Sequence, residues 1–84
     1  MTERELELAK ALSNCTFIPG SFDKRFAAHM ATIAKYSPEF PLSSAQRHCL
    51  YRTAHRYRRQ IKDVEIPTEA EIDELGALAE ENKS

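Results

Sequence analysis

The chain has little glycine and cysteine and no tryptophan: two Gly, two Cys and no Trp in 84 residues. Gly20 and Gly76 stand alone, so there is no glycine-rich loop to cradle a phosphate. Cys15 and Cys49 are too few for a disulfide framework and suit reduced thiols inside a cell. No apolar run approaches the length of a membrane span. The opening MTERELELAK is charged and lacks the apolar centre of an export signal, so the expected location is the cytoplasm.

The absence that organises the rest is local. Residues 43–62 contain no aspartate or glutamate, yet they hold Arg47, Arg52, Arg56, Arg58, Arg59 and Lys62, with His48 and His55 among them. That stretch is strongly basic inside a protein whose formal net charge is −1. The compensation follows directly. Residues 63–84 carry Asp63, Glu65, Glu69, Glu71, Asp73, Glu74, Glu80 and Glu81 against the single base Lys83. Charge segregated in this way bears on partners rather than on fold.

What is present is enough for one small folded domain. Apolar residues are 42 % and charged residues 30 %, a balance that suits a globular chain better than a disordered one. Its length fits one domain over 1–84, with a core in 1–66 and an acidic, loosely packed C-terminal helix in 67–84. Helical start signals recur. Thr2 with Glu5, Ser43 with Gln46 and Thr68 with Glu71 form the pattern in which a hydroxyl and a carboxylate or amide three residues on satisfy each other's free backbone N–H groups. Ser21 caps a further helix with Asp23 in its first turn, where the helix dipole favours negative charge.

These signals predict helices over about 3–13, 22–36 and 44–62, and an acidic one after Thr68. Leu6, Ala9 and Leu12 give the first an apolar stripe. Phe22, Phe26, Met30 and Ile33 give the second the strongest core-forming stripe, with Ala27 and Ala34 close to it. Residues 14–21 form a loop with a Pro19-Gly20 turn, from which Phe17 and Ile18 reach the core. Pro38 ends the second helix near Tyr36, and 37–42 is a two-proline connector with Phe40 and Leu42 as anchors. In the third helix Leu50, Ala54, Tyr57 and Ile61 fall within about 60° of arc, and His48, Arg52, His55 and Arg59 point away from them. Ile72, Leu75 and Leu78 or Ala79 make a weak stripe on the acidic helix. Gly76 lowers its stability by about 1 kcal/mol relative to Ala, and 80–84 are expected to fray. The fold class is therefore all-α: three packed helices plus a fourth, acidic one.

Two strings carry a resemblance. FIPGSFDKRF (17–26) and RYRRQ (56–60), with LSSAQRHCL (42–50) before the second, resemble small phage, prophage and mobile-element proteins with F-L-P-G-S-W/F-D-K-R-F, then L-T-x-x-Q-R and R-Y-R-R-Q. The likeness covers roughly residues 8–61. It implies a phage or mobile-element setting, hence the cytoplasm of a host cell, and no particular activity.

Chemistry of other kinds finds little footing. Cys15, His29, His48, Cys49 and His55 are the soft metal ligands, but none pair at ligand spacing, and His48 and His55 lie about 10 Å apart along a helix. His48 adjoins Cys49, yet helical neighbours point about 100° apart, so no nucleophile–base pair is formed. No cofactor, metal, catalytic group, small-molecule substrate or membrane contact is expected. The favoured function is non-catalytic binding of nucleic acid through the basic face of helix 44–62. Arg47, His48, Tyr51, Arg52, His55, Arg56, Arg58, Arg59 and Lys62 supply that face, and Lys24 and Arg25 extend it if the two helices lie side by side. Arginine forks grip phosphate oxygens, and Tyr51 can stack on an exposed base. The alternative is an adaptor or inhibitor that binds a host protein through the same face or through the acidic helix.

Overall fold

The computed structural model describes residues 1–62 and 64–81. Four helices follow in order: α1 (Glu3–Ser13), α2 (Phe22–Tyr36), α3 (Ser44–Arg56) and α4 (Glu69–Glu81). The described residues are all-helical, as the caps and periodicity predict. Each start rests on local hydrogen bonds. Thr2 and Glu5 close a full capping box at α1, and Ser43 and Gln46 close another at α3. Ser21 Oγ accepts from the Lys24 N–H at α2, and Thr68 and Glu71 bond reciprocally at α4. Gly20 adopts a left-handed φ of 78°, the conformation that the turn before α2 requires and that side chains resist.

The core is built from Leu8, Ala9 and Leu12 of α1, Ala27, Met30 and Ala34 of α2, and Leu50 and Ala54 of α3, with Leu42 and Ile61 from the flanking segments. α1 is central: it packs against both α2 and α3, and α4 lies along α3. Pro67, at the entry to α4, is fully buried. The radius of gyration is 12.2 Å, close to the ~12 Å expected for a compact chain of this length. The acidic helix is therefore folded back on the bundle. The expected fraying of 80–84 lies largely outside the described residues, as do the side chains of Leu78 and Ala79.

Three expectations are corrected. α3 ends at Arg56 rather than at residue 62, and 57–60 form a turn. Tertiary contacts pull the chain out of helix there. Tyr57 packs edge-on against Phe17 with ring centroids 4.6 Å apart and donates to Asp23. The Gln60 amide clips the Thr16 backbone at both N–H and C=O, and the Arg58 guanidinium donates to the His55 carbonyl. A continued helix would carry these groups away from loop 14–21. Second, Phe22 is 57 % exposed, because α2 turns Ala27, Met30 and Ala34 inward instead. Small residues let the helix approach α1 closely, and the larger ones are left on its flank. Third, Ile18 and Phe40 are exposed, at 75 % and 47 %, whereas their neighbours Phe17 and Leu42 take the core positions.

Candidate binding surface

The basic stretch divides into two regions with different surroundings. On one side of α3, α1 and α4 have claimed its cations. Arg47 Nε donates to Glu5 Oε2 at 2.6 Å, and the Glu5 carboxylate is buried to 2 % side-chain exposure. The same Glu5 caps α1 through the Thr2 N–H, so one carboxylate ties a helix start to the neighbouring helix. His48 lies against α4 where Gly76 leaves room: a Cβ there would sit 3.2 Å from His48 Nε2. The glycine that weakens α4 as an isolated helix is the residue that lets it approach α3. His55 Nδ1 lies 3.1 Å from the Pro67 carbonyl oxygen, and its Nε2 lies 3.9 Å from Glu69.

Tyr51 is covered from α1. The Arg4 guanidinium stands 5.2 Å from its ring centroid and grips Glu71 with two hydrogen bonds, at 2.5 and 3.2 Å. The Glu71 partner pushes the Arg4 pKa up, and Arg4, followed by the Thr68 N–H, holds the Glu71 carboxyl below its ordinary value. A cleft of about 270 Å³ remains between Thr2, Glu5, Arg47, Tyr51, Glu71, Glu74 and Leu75. Glu5 and Glu71 of its wall are paired with Arg47 and Arg4.

The basic face expected to point wholly to water is therefore corrected at Arg47, His48, Tyr51 and His55. All four are half-buried against α1 or α4. Helical periodicity separates the core stripe from everything else on α3. It does not reveal that a second helix comes to rest on the remainder.

The other region is the end of α3 and the turn after it. Arg52, Arg58, Arg59 and Lys62 are exposed, and none makes an ion pair among the described residues. Arg56 Nη1 donates to Asp23 Oδ2 at 2.9 Å, and the Tyr57 hydroxyl donates to the same oxygen at 2.9 Å. Burial and the Asp23 carboxylate push the Tyr57 phenol up, so it keeps its proton and remains a donor. Asp23 is thus the joint between the start of α2 and the end of α3. Lys24 and Arg25, next along α2, are both exposed; Arg25 falls on the far side of α2 from Asp23. α2 and α3 do not lie side by side: the start of α2 meets the end of α3 through Asp23, while the body of α2 packs on α1.

Burial pushes the Cys15 thiol up, and its Sγ lies 3.5 Å from the Ala11 carbonyl oxygen, the setting of an inert thiol. Among the described residues no group of three His, Cys, Asp or Glu side chains could hold a metal ion. No described helix is long and apolar enough to cross a membrane.

Sequence reasoning assigned Glu5, Glu71 and Asp23 to capping and dipole roles only, and missed that each also holds a distant arginine. It also missed the exposed aromatic flank of α2. A signal for that flank was present: Phe22, Phe26, Ala27, Met30, Ile33, Ala34 and Tyr36 together span about 180° of arc, wider than one helix–helix seam needs. No family model matches the chain, and no curated protein or solved structure matches it.

Proposed function

We propose that this is a small non-catalytic protein of phage type that binds nucleic acid through the cations gathered where α2 meets the end of α3. The observation that carries this reading is the Asp23 joint. By accepting from both Arg56 and Tyr57, Asp23 neutralises its own charge and ties the start of α2, where Lys24 is exposed, to the end of α3, around which Arg52, Arg58, Arg59 and Lys62 are exposed. These five exposed cations, which have no ion pair among the described residues, repel one another in the free protein, and a phosphate backbone relieves that repulsion. Each phosphate neutralised releases condensed counterions, so the affinity depends steeply on salt. The acidic α4 lies against His48 and His55, within about 60° of Arg52 on the helical wheel, so it flanks the Arg52 end of the cluster and leaves Arg58, Arg59 and Lys62, beyond the end of α3, exposed.

The test is a salt series with labelled DNA and RNA. Arg52→Glu combined with Arg59→Glu should weaken binding roughly a hundredfold at about 0.1 M salt. Both residues are exposed, so the circular dichroism spectrum and unfolding midpoint should stay near wild type. Normal binding by the double variant, or affinity indifferent to salt, rules out this surface.

A further inference from the structure

The long flank of α2 has no helix against it. Among the described helices, α2 packs substantially on α1 alone. Its buried residues Ala27, Met30 and Ala34 define the inward side. About 110° round from them, at 100° per residue, lie Phe22, Phe26, Ile33 and Tyr36, with Arg25 and His29 in the same sector. Phe22 is 57 % exposed and Tyr36 73 %, while Phe26 and Ile33 are half-buried against the core. Phe22 and Phe26 stack on one another with centroids 5.9 Å apart and planes 19° from parallel. The ridge runs about 21 Å, four turns of helix. Such spacing on an unpartnered helix, with aromatics at its ends, is the form of a helix-docking seam.

Charge selects the occupant. Arg25 lies in the ridge sector and the Lys35 ammonium reaches within 5.2 Å of the Tyr36 ring at its end, while the single acid of α2, Asp23, is turned away to Arg56 and Tyr57. Two copies packed through this face would oppose these cations with no carboxylate between them. The molecule already pairs helices by this rule elsewhere: α3, which has no acid, lies against α4, which has no base. A nucleic acid strand is a poorer fit than a helix. Phe22 already stacks on Phe26, and the middle of the ridge is half-buried aliphatic surface rather than free ring faces.

We propose that this face of α2 docks an amphipathic helix with acidic flanks from a protein partner, at a surface separate from the cation cluster at the end of α3. Leucine or similar residues of the incoming helix cover Phe22, Phe26, Ile33 and Tyr36, and its glutamates meet Arg25 and Lys35.

The experiment titrates the full chain with a designed peptide of about 18 residues, long enough to form a helix, carrying leucines on one side and glutamates on the flanks. A matched peptide carries lysines in place of the glutamates. The glutamate peptide should bind and gain helicity, with amide shifts confined to α2. Phe22→Ser combined with Tyr36→Ser should weaken it at least about tenfold, one to two lost anchors' worth. Because both side chains are largely exposed, that variant stays folded by circular dichroism, and it should retain the wild-type salt-dependent binding of DNA and RNA. Several outcomes overturn the proposal: no peptide binding, equal binding of the lysine peptide, or binding unchanged in the double variant. Wild-type self-association in sedimentation that the double variant abolishes makes a second copy the occupant and equally overturns it. So does loss of nucleic-acid binding in the double variant, which assigns the ridge to nucleic acid.

Discussion

The two ends of the basic run have opposite fates. Toward the start of α3, Arg47 and His48 are enclosed, the first by the buried Glu5 and the second by α4 at Gly76. Beyond Arg56 the chain leaves the helix, and Arg58, Arg59 and Lys62 face water with no carboxylate partner among the described residues. The residue types are the same; their surroundings are not. A cation that has an internal carboxylate contributes to the fold and is already satisfied. One that lacks it leaves the molecule with unspent attraction for an anion. A run of arginines is therefore not a surface until the rest of the chain has taken its share.

Breaking the enclosed end gives the largest expected effect. Glu5→Ala strips Arg47 of its partner and opens the capping box of α1. A lost cap costs about 0.5–2 kcal/mol. Removing one partner of a fully buried ion pair costs about 3–5 kcal/mol, but Arg47 is 37 % exposed and can turn to water. The sum should therefore be about 2–3 kcal/mol, read from urea unfolding. Arg59→Ala at the open end should shift the same curve by less than about 0.5 kcal/mol. Equal effects at the two ends would erase the contrast.

A smaller effect is expected at the seam between α3 and α4. Gly76→Leu puts a side chain where a Cβ alone would lie 3.2 Å from the His48 ring. Overpacking of about 1–3 kcal/mol is partly offset by the helix propensity gained, about 1 kcal/mol. The net loss falls on α4. Its amides should exchange faster, while those of α1 and α2 keep wild-type protection. Unchanged exchange in α4 would show that the glycine is not what admits the helix to α3.

The smallest effect is set by acid. The folded state holds the Glu71 carboxyl below its ordinary value of 4.5, first through Arg4 and then through the Thr68 N–H. A depressed carboxylate contributes stability that is present above the ordinary value and lost as pH falls through the lowered one. Protection of α4 should therefore decline below about pH 4, and Glu71→Gln should flatten that decline. A decline of the same steepness in the variant would exclude the Arg4–Glu71 pair as its source.

The sequence by itself determined the all-α class, the start of every helix and the segregation of charge. Capping boxes act over three residues, as Thr2 with Glu5 and Ser43 with Gln46 do. Such contacts depend on nothing beyond the local chain, so they are legible in it. Ala9 and Leu12 of α1 and Leu50 and Ala54 of α3 follow from periodicity for the same reason, whereas Leu8, which periodicity puts on the flank of the α1 stripe, is fully buried and Leu6 is half-buried.

Only the tertiary structure decided where α3 stops, which cations remain open and which side of α2 is covered. Those outcomes hang on contacts between residues far apart: Gln60 with Thr16 across 44 positions, Arg56 with Asp23 across 33, and Arg4 with Glu71 across 67. A helical wheel shows that an arginine points away from the core stripe. Whether it then meets water or another helix depends on how the rest of the bundle closes, because the energy that settles it comes from packing between distant segments rather than from the helix that carries the charge.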